Sequence, residues 1–277
     1  MNYLYLLTLK SLHSISAIEK ILPSAGSKPI VVLCNDLNFY VGKYGKPYDL
    51  FNEYIGASFA RIWKIPVPDS ALLHIKSDHV PVMLPRKLFS IPCYGAFYLE
   101  YAQDVHDFFV TWKNNPYELS KIINQDDLLK IGLFDIWLSN EDRNHNNTNL
   151  LIQPLLEGYQ FVAIDHVNLF NSNCLENGIS QLNEFESIIN TDFIKMFFKR
   201  GQRLSEITEG LVEKFYIYTR KCLKELPKIL QQVPAAWGID LVNKENLMKN
   251  QLGNNAWLEE TVHSFRLILE QQLKKDS

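Results

Sequence analysis

Cysteine is scarce in this chain and badly placed for chemistry. Cys34, Cys93, Cys174 and Cys222 form no CxxC pair and do not cluster with histidine. That excludes a zinc knuckle and a disulfide framework, and the four read as reduced thiols of a cytoplasmic protein. Long basic runs are missing too. The 28 Lys and Arg against 31 Asp and Glu leave a formal charge of −3, so no direct nucleic-acid binding is expected. No segment approaches the roughly 18 uncharged apolar residues of a membrane span. The apolar start Met1–Leu9 has no basic residue before it, and Lys10 follows it, the wrong order for a secretory signal. No G-x-G-x-x-G follows the first strand, and there is no internal repeat or low-complexity tract.

What is present is apolar bulk. Hydrophobic residues make up 47% of 277 and charged residues 21%, enough for one bilobed domain or two small ones and too little charge for disorder. The first third reads as strand-rich: Tyr3–Leu9, Ile30–Cys34, Phe39–Tyr44, Ala71–Ile75, Val80–Leu84 and Gly95–Tyr101 carry β-prone or alternating residues. Between them, residues 48 to 63 carry a helical apolar stripe that Pro66 and Pro68 stop. Ser24–Pro29 is loop by composition. Beyond Pro116 the chain is mainly helical. Residues 128 to 138 are apolar nearly all round, and helices are expected over 188–200, 204–226, 227–233 and 257–274. The expected architecture is α+β: a small strand-rich lobe with one helix over residues 1–104, and a larger helical lobe over 105–277.

The candidate chemistry sits where the helix at 128–138 ends. Asn140-Glu141-Asp142-Arg143 opens a polar loop that closes on Asn149 before the apolar Leu150-Leu151-Ile152. A second apolar strand, Phe161–Ile164, then ends on Asp165. Asp, polar loop, Asn, strand, strand, Asp is the order that phosphoryl transfer needs: one Asp orients the attacking hydroxyl, and an amide and a second Asp hold the metal that bridges ATP phosphates. Asp142 is the candidate base. Arg143 could hold the loop or stabilise phosphate charge. The amide is Asn149, at the strand start, or Asn147. An Asx-rich surface turn is the bland alternative, but a polar loop carried between rigid apolar elements is how sites are built. Asp165, at a buried strand end, needs a partner that a divalent ion would supply. Upstream, Lys43 in the second strand of the early hairpin could reach the phosphates, Glu53 in the following helix could orient it, and Lys46 is the back-up. Glu100, Tyr101 and Ala102 lie where a lobe connector would present backbone groups to adenine. The tryptophans read as packing residues.

These residues resemble the HipA-like kinases. The likeness is carried by Tyr40–Tyr44, Phe51–Ala57, Ile65–Pro68, Trp137–Arg143, Asn149–Ile152 and Ala163–His166, in that order, and covers roughly residues 25 to 170. The order is also similar to the phosphatidylinositol 3-/4-kinase core, with its DRxxxN loop before the metal Asp. The resemblance implies a protein-kinase-like fold, use of ATP and Mg2+, and transfer to a Ser or Thr hydroxyl of a protein phosphoacceptor or of the chain itself. It would make Lys43 the phosphate contact, Glu53 its partner, Asp142 the catalytic Asp, and Asn149 or Asn147 with Asp165 the metal ligands. Asn147 stands at the family's usual offset of five from the Asp, whereas Asn149 stands at seven. The family's namesake is a toxin with a DNA-binding antitoxin, which leaves an antitoxin-like partner open. The competing readings are a pseudokinase that binds nucleotide without transfer and a small-molecule or lipid kinase.

Overall fold

In the computed structural model of the chain, residues 9–23 and 28–274 are described. The expected strand Tyr3–Leu9, except Leu9, and the expected loop Ser24–Pro29, except its last two residues, therefore fall outside the described residues. A six-stranded sheet comes first, in the order β1-β5-β6-β4-β3-β2. Its strands are β1 (Lys10–His13), β2 (Lys20–Ile21), β3 (Ile30–Leu33), β4 (Phe39–Lys43), β5 (Ser70–His74) and β6 (Cys93–Phe97). β1 runs parallel to β5 and the other neighbours are antiparallel.

The pleat sorts β4 into two faces. Tyr40 and Gly42 are buried on one, while Val41 and Lys43 share the other. The ladder sets Lys43 opposite Tyr94 and Val41 opposite Ala96, so these four residues look the same way.

Helix α1 (Pro47–Ile62) follows β4. Pro47 opens it with a φ already suited to the first turn. Lys64, at φ 57°, closes it in the left-handed region, and Ile65 N–H returns to Ala60 O at 2.9 Å. The helix is buried on nearly every side, with Asn52, Glu53 and Ser58 among its buried residues. Its apolar residues share one continuous core with the helices that follow; the sheet's opposite face has a separate core around Ile30, Val32, Leu73 and Cys93.

The second part holds β7 (Gln103–Asp104), α2 (Val105–Trp112), α3 (Pro116–Ser120), α4 (Asp127–Leu138), the hairpin β8 (Leu150–Leu155) and β9 (Gly158–Ala163), a short turn α5 (Leu169–Asn173), and α6 (Asp192–Phe197), α7 (Gln202–Leu230), α8 (Leu241–Leu252) and α9 (Asn255–Lys274). Tryptophan N–H groups tie the layers: Trp137 donates to Leu252 O, Trp257 to Trp137 O (both 3.1 Å), and Trp237 to Pro92 O (2.7 Å). Trp63 stacks on Trp137, whereas Trp112 is only partly buried.

Some elements differ from the expectation. Residues 80–84 form no strand; Pro81 and Pro85 leave the backbone in turns, because proline cannot donate to a ladder. The two expected helices meeting at Pro227 are one, α7, with the proline inside it. The stretch 188–200 is broken into a 3-10 turn and the short α6.

Candidate active site

A cavity of about 350 Å³ lies between the sheet and the β8–β9 hairpin. Val41, Val67, Ala96, Phe97, Leu99 and Leu151 give it apolar walls, and Lys43, Glu53, Asn149 and Asp165 form its polar end. A concave apolar site with a few convergent polar groups is the usual form of a small-molecule site.

At the polar end the Lys43 ammonium is held between two carboxylates. It bonds Glu53 Oε1, and it lies 2.7 Å from Asp165 Oδ1. Burial alone would lower the lysine's pKa, but the charges of Glu53 and Asp165 outweigh it and hold the group above its ordinary range. Burial also works to raise the Asp165 carboxyl, and Lys43, by charge and hydrogen bond, carries it below its ordinary value instead. For Glu53, burial wins against Lys43 and pushes the carboxyl up to about 7. The Glu53 carboxylate also accepts the backbone N–H of His166.

The loop after α4 builds the other half. Ser139 ends the helix in the left-handed region at φ 49°. Asp142 Oδ2 accepts from Asn147 Nδ2 at 3.0 Å and from Asn149 Nδ2 at 3.3 Å; the Asn149 amide also reaches Asp142 O at 3.2 Å. Asn149 (φ 47°) and Asp165 (φ 56°) both sit in the left-handed region, just outside the paired residues Leu150 and Ala163. Two such non-glycine residues persist only where their surroundings over-determine them. Arg143 does this. Its guanidinium donates to Asp135 Oδ1 (2.7 Å), Ile164 O (2.6 Å) and, at 3.4 Å, Asn149 O. It thus fixes the carbonyl before Asp165 and that of Asn149 itself. Asp135 and Arg143 have no solvent exposure, and Asn140 Nδ2 completes the cluster on Asp135 at 2.8 Å. Burial lifts the Asp135 carboxyl above its ordinary pKa despite the arginine.

The structure therefore brings Lys43, Glu53 and Asp165 into one cluster, and Asp142, Asn147 and Asn149 into another that shares the cavity through Asn149. The structure places the expected site residues Arg143, Glu100, Tyr101 and Asn147 outside the cavity lining. Arg143 lies beneath the loop with no solvent exposure and its guanidinium committed to Asp135, Ile164 O and Asn149 O, so of its two expected roles the geometry serves the holding one. The side chain of Tyr101 is 78% exposed and that of Glu100 is exposed too; Tyr98, Leu99 and Ala102 form the connector's wall, because the chain turns there with Ala102 N–H on Leu99 O (3.1 Å). Asn147 touches Asp142 but is exposed and lines no part of the cavity. Lys46 is an exposed residue at the start of α1.

Sequence reasoning passed over Asp135, Asn52 and Tyr94. A lone carboxylate in a helix apolar nearly all round, and an Asn-Glu pair inside a buried helix, were the available signals for the first two. Tyr94 has no signal until the register sets it opposite Lys43.

His166 packs where Gly56 leaves room. A β-carbon at position 56 would lie 2.4 Å from His166 Cβ, and burial holds the imidazole neutral, well below its ordinary pKa. Gly56→Ala is therefore expected to destabilise the fold by about 1–3 kcal/mol, although alanine favours a helix, because α1 and the backbone after Asp165 must separate. Urea denaturation checks it, and an equal or higher midpoint would show that the contact yields freely.

The comparisons with known proteins bear on this geometry. Residues 15–263 match the family described as HipA-like kinase. The chain belongs to that family. Membership makes it a protein-kinase-like phosphotransferase. No curated protein matches the sequence. Among solved structures the chain is similar to the crystal structure of a Helicobacter pylori proinflammatory kinase, CtkA, with a TM-score of 0.51 and 13% identity over 96% of this chain and 99% of that one. At that identity the likeness speaks for the fold: a bilobed kinase-like architecture with a sheet-based first lobe and a helical second.

Among the described residues no three His, Cys, Asp or Glu converge as a metal cage would require. Beside Lys43 and its partner Glu53, the cavity offers one further carboxylate, Asp165, and one amide, Asn149. That sparse set fits Mg2+, which takes one or two protein ligands and fills its shell with phosphate oxygens and water.

Proposed function

We propose that this chain transfers the γ-phosphoryl group of Mg-ATP to a Ser or Thr hydroxyl, on a partner protein or on itself. The observation that carries the reading is the Lys43 ammonium set between Glu53 and Asp165 at the polar end of an otherwise apolar cavity. The apolar walls suit a purine, with the connector at Leu99–Ala102 along its edge. Lys43 would meet the phosphates while Glu53 keeps it extended. Asp165 and the Asn149 oxygen would hold magnesium; both bonds from the Asn149 amide nitrogen go to Asp142, which leaves its oxygen for the ion. Bound magnesium supplies charge neutralisation at the transferring phosphoryl group.

Asp142 takes the remaining role. The two asparagine bonds fall on Oδ2, so Oδ1 is free to accept the hydroxyl hydrogen of the acceptor. As the acceptor oxygen bonds the γ-phosphorus, the bridging oxygen leaves with ADP and the hydroxyl proton passes to Asp142 Oδ1 or to water.

The test is transfer of labelled γ-phosphate with Asp165→Ala as the control, alongside calorimetric titration of ATP with and without Mg2+. Magnesium-dependent binding and label on protein, both lost in Asp165→Ala, are expected. Binding with no transfer to the chain or to a panel of Ser- and Thr-containing proteins would favour a pseudokinase; transfer to lipid or small alcohols alone would replace the acceptor class. Neither binding nor transfer would sink the reading.

A further inference from the structure

We propose that Asn52 is a positioning residue for Asp165, acting by clasping the left-handed turn that follows it. This rests on the reading of Asp165 as the metal-binding carboxylate.

The turn is α5. Phe170, Asn171, Ser172 and Asn173 are consecutive non-glycine residues with φ of 60°, 46°, 54° and 76°. Steric contact between Cβ and the following carbonyl drives each toward the right-handed region. Such a run persists only while bonds from elsewhere hold it. One side chain closes it across its ends. Asn52, 1% exposed in the middle of α1, donates its amide to Val167 O at 2.8 Å and to Asn173 Oδ1 at 2.9 Å, with a longer contact to Leu169 O at 3.4 Å. The other supports attach the turn's outer side to the second lobe: Asn171 N–H to Ser139 O (3.0 Å), Ser180 N–H to Asn171 Oδ1 (2.8 Å), and Ser172 Oγ to the Glu141 carboxylate.

Asn52 is thus the link from α1 to the turn, and it works beside two others on the same helix face. Glu53 takes the His166 N–H and the Lys43 ammonium, and Gly56 admits the His166 ring. Residues 52, 53 and 56 grip the backbone on both sides of Val167. The carbonyl held most closely, that of Val167, lies two residues from Asp165, which is itself left-handed. Loss of the Asn52 amide frees the turn to relax, and the carboxylate that meets Lys43 loses its fixed height. A bland alternative is that Asn52 only satisfies buried carbonyls.

The experiment compares wild type, Asn52→Ala, Asn52→Asp and Asn173→Ala in the full chain. Asn52→Asp is close in shape but sets a carboxylate against the carbonyls. Two quantities are read: amide hydrogen exchange without nucleotide, and the Mg2+ concentration that half-saturates ATP binding. In both Asn52 variants exchange over residues 165–173 is expected to quicken while α7 and α9 keep wild-type protection, and the Mg2+ requirement is expected to rise about tenfold, as when groups behind metal ligands are removed. Asn173→Ala, which keeps the carbonyl contacts, is expected to give a smaller change in both. Wild-type Mg2+ dependence in the Asn52 variants, or protection lost evenly across the chain, would overturn the proposal while leaving the kinase reading intact. A wild type without magnesium-dependent ATP binding would overturn both.

Discussion

Asp142→Asn is expected to lower phosphoryl transfer about 10²–10⁴-fold, the span that a positioned proton acceptor contributes, while Mg-ATP still binds. The change removes charge and proton affinity but keeps the side chain's shape. Asp142 stands apart from the Lys43 cluster, and its bonds come from Asn147 and Asn149 at 3.0 and 3.3 Å. An amide oxygen can accept the same two bonds, so the loop and the Asn149 side chain keep their places. The side chain is partly exposed, so losing its charge costs the fold little. Turnover and nucleotide affinity measured on the same preparation separate the outcomes. A variant that turns over like wild type would remove Asp142 from the reaction; one that no longer binds Mg-ATP would recast it as part of the nucleotide site.

Arg143→Ala is expected to act on stability instead, by about 3–5 kcal/mol, because it strands a buried carboxylate. Asp135 and Arg143 share a 2.7 Å bond with no solvent exposure on either. Asp135 would be left with Asn140 alone, and the carbonyls of Asn149 and Ile164 would lose a charged donor. Removing both members should cost far less than the sum of the single changes: Asp135→Leu with Arg143→Met replaces the pair by apolar volume. Urea denaturation of the four proteins of that cycle gives the coupling. Additive losses would mean that the two residues serve separate purposes. Catalysis should fail in Arg143→Ala even where it folds, because both left-handed residues lose their anchor.

How much of this the chain announces depends on the kind of residue. The places of Asn149 and Asp165 were legible because each borders an apolar run that fixes it on an element, and that of Asp142 because its polar loop follows a helix apolar nearly all round. Lys43 and Glu53 were legible as a strand lysine before a helix with a carboxylate. Arg143 was ambiguous for a physical reason: arginine binds phosphate and carboxylate through the same fork, and only the fold reveals that Asp135, eight residues earlier on α4, claims it. For Glu100 and Tyr101 the connector's position follows from sequence order, whereas the outward direction of their side chains follows from a turn at Leu99–Ala102 that no motif announces. Val80–Leu84 has the composition of a strand, but Pro81 inside it and Pro85 directly after it decide otherwise. Helix α8 went unseen because its sparse buried residues, Lys244, Met248 and Leu252, give no clear stripe.

The core shared by α1 and the helices has a mechanical consequence. Tyr54 OH is bonded to Ile229 O at 3.0 Å, Cys222 packs on the Phe59 carbonyl, and apolar residues of α1 lie in the same core as those of α4 and α7. The helix that carries Glu53 is part of the floor. With that floor fixed, room for a ligand to come and go would have to come from the cavity's other walls, the sheet with the β2–β3 connection at Leu22, Pro23 and Pro29 or the β8–β9 hairpin, like a hinged cover over a fixed bench, and the ease of that movement would set how long a product stays.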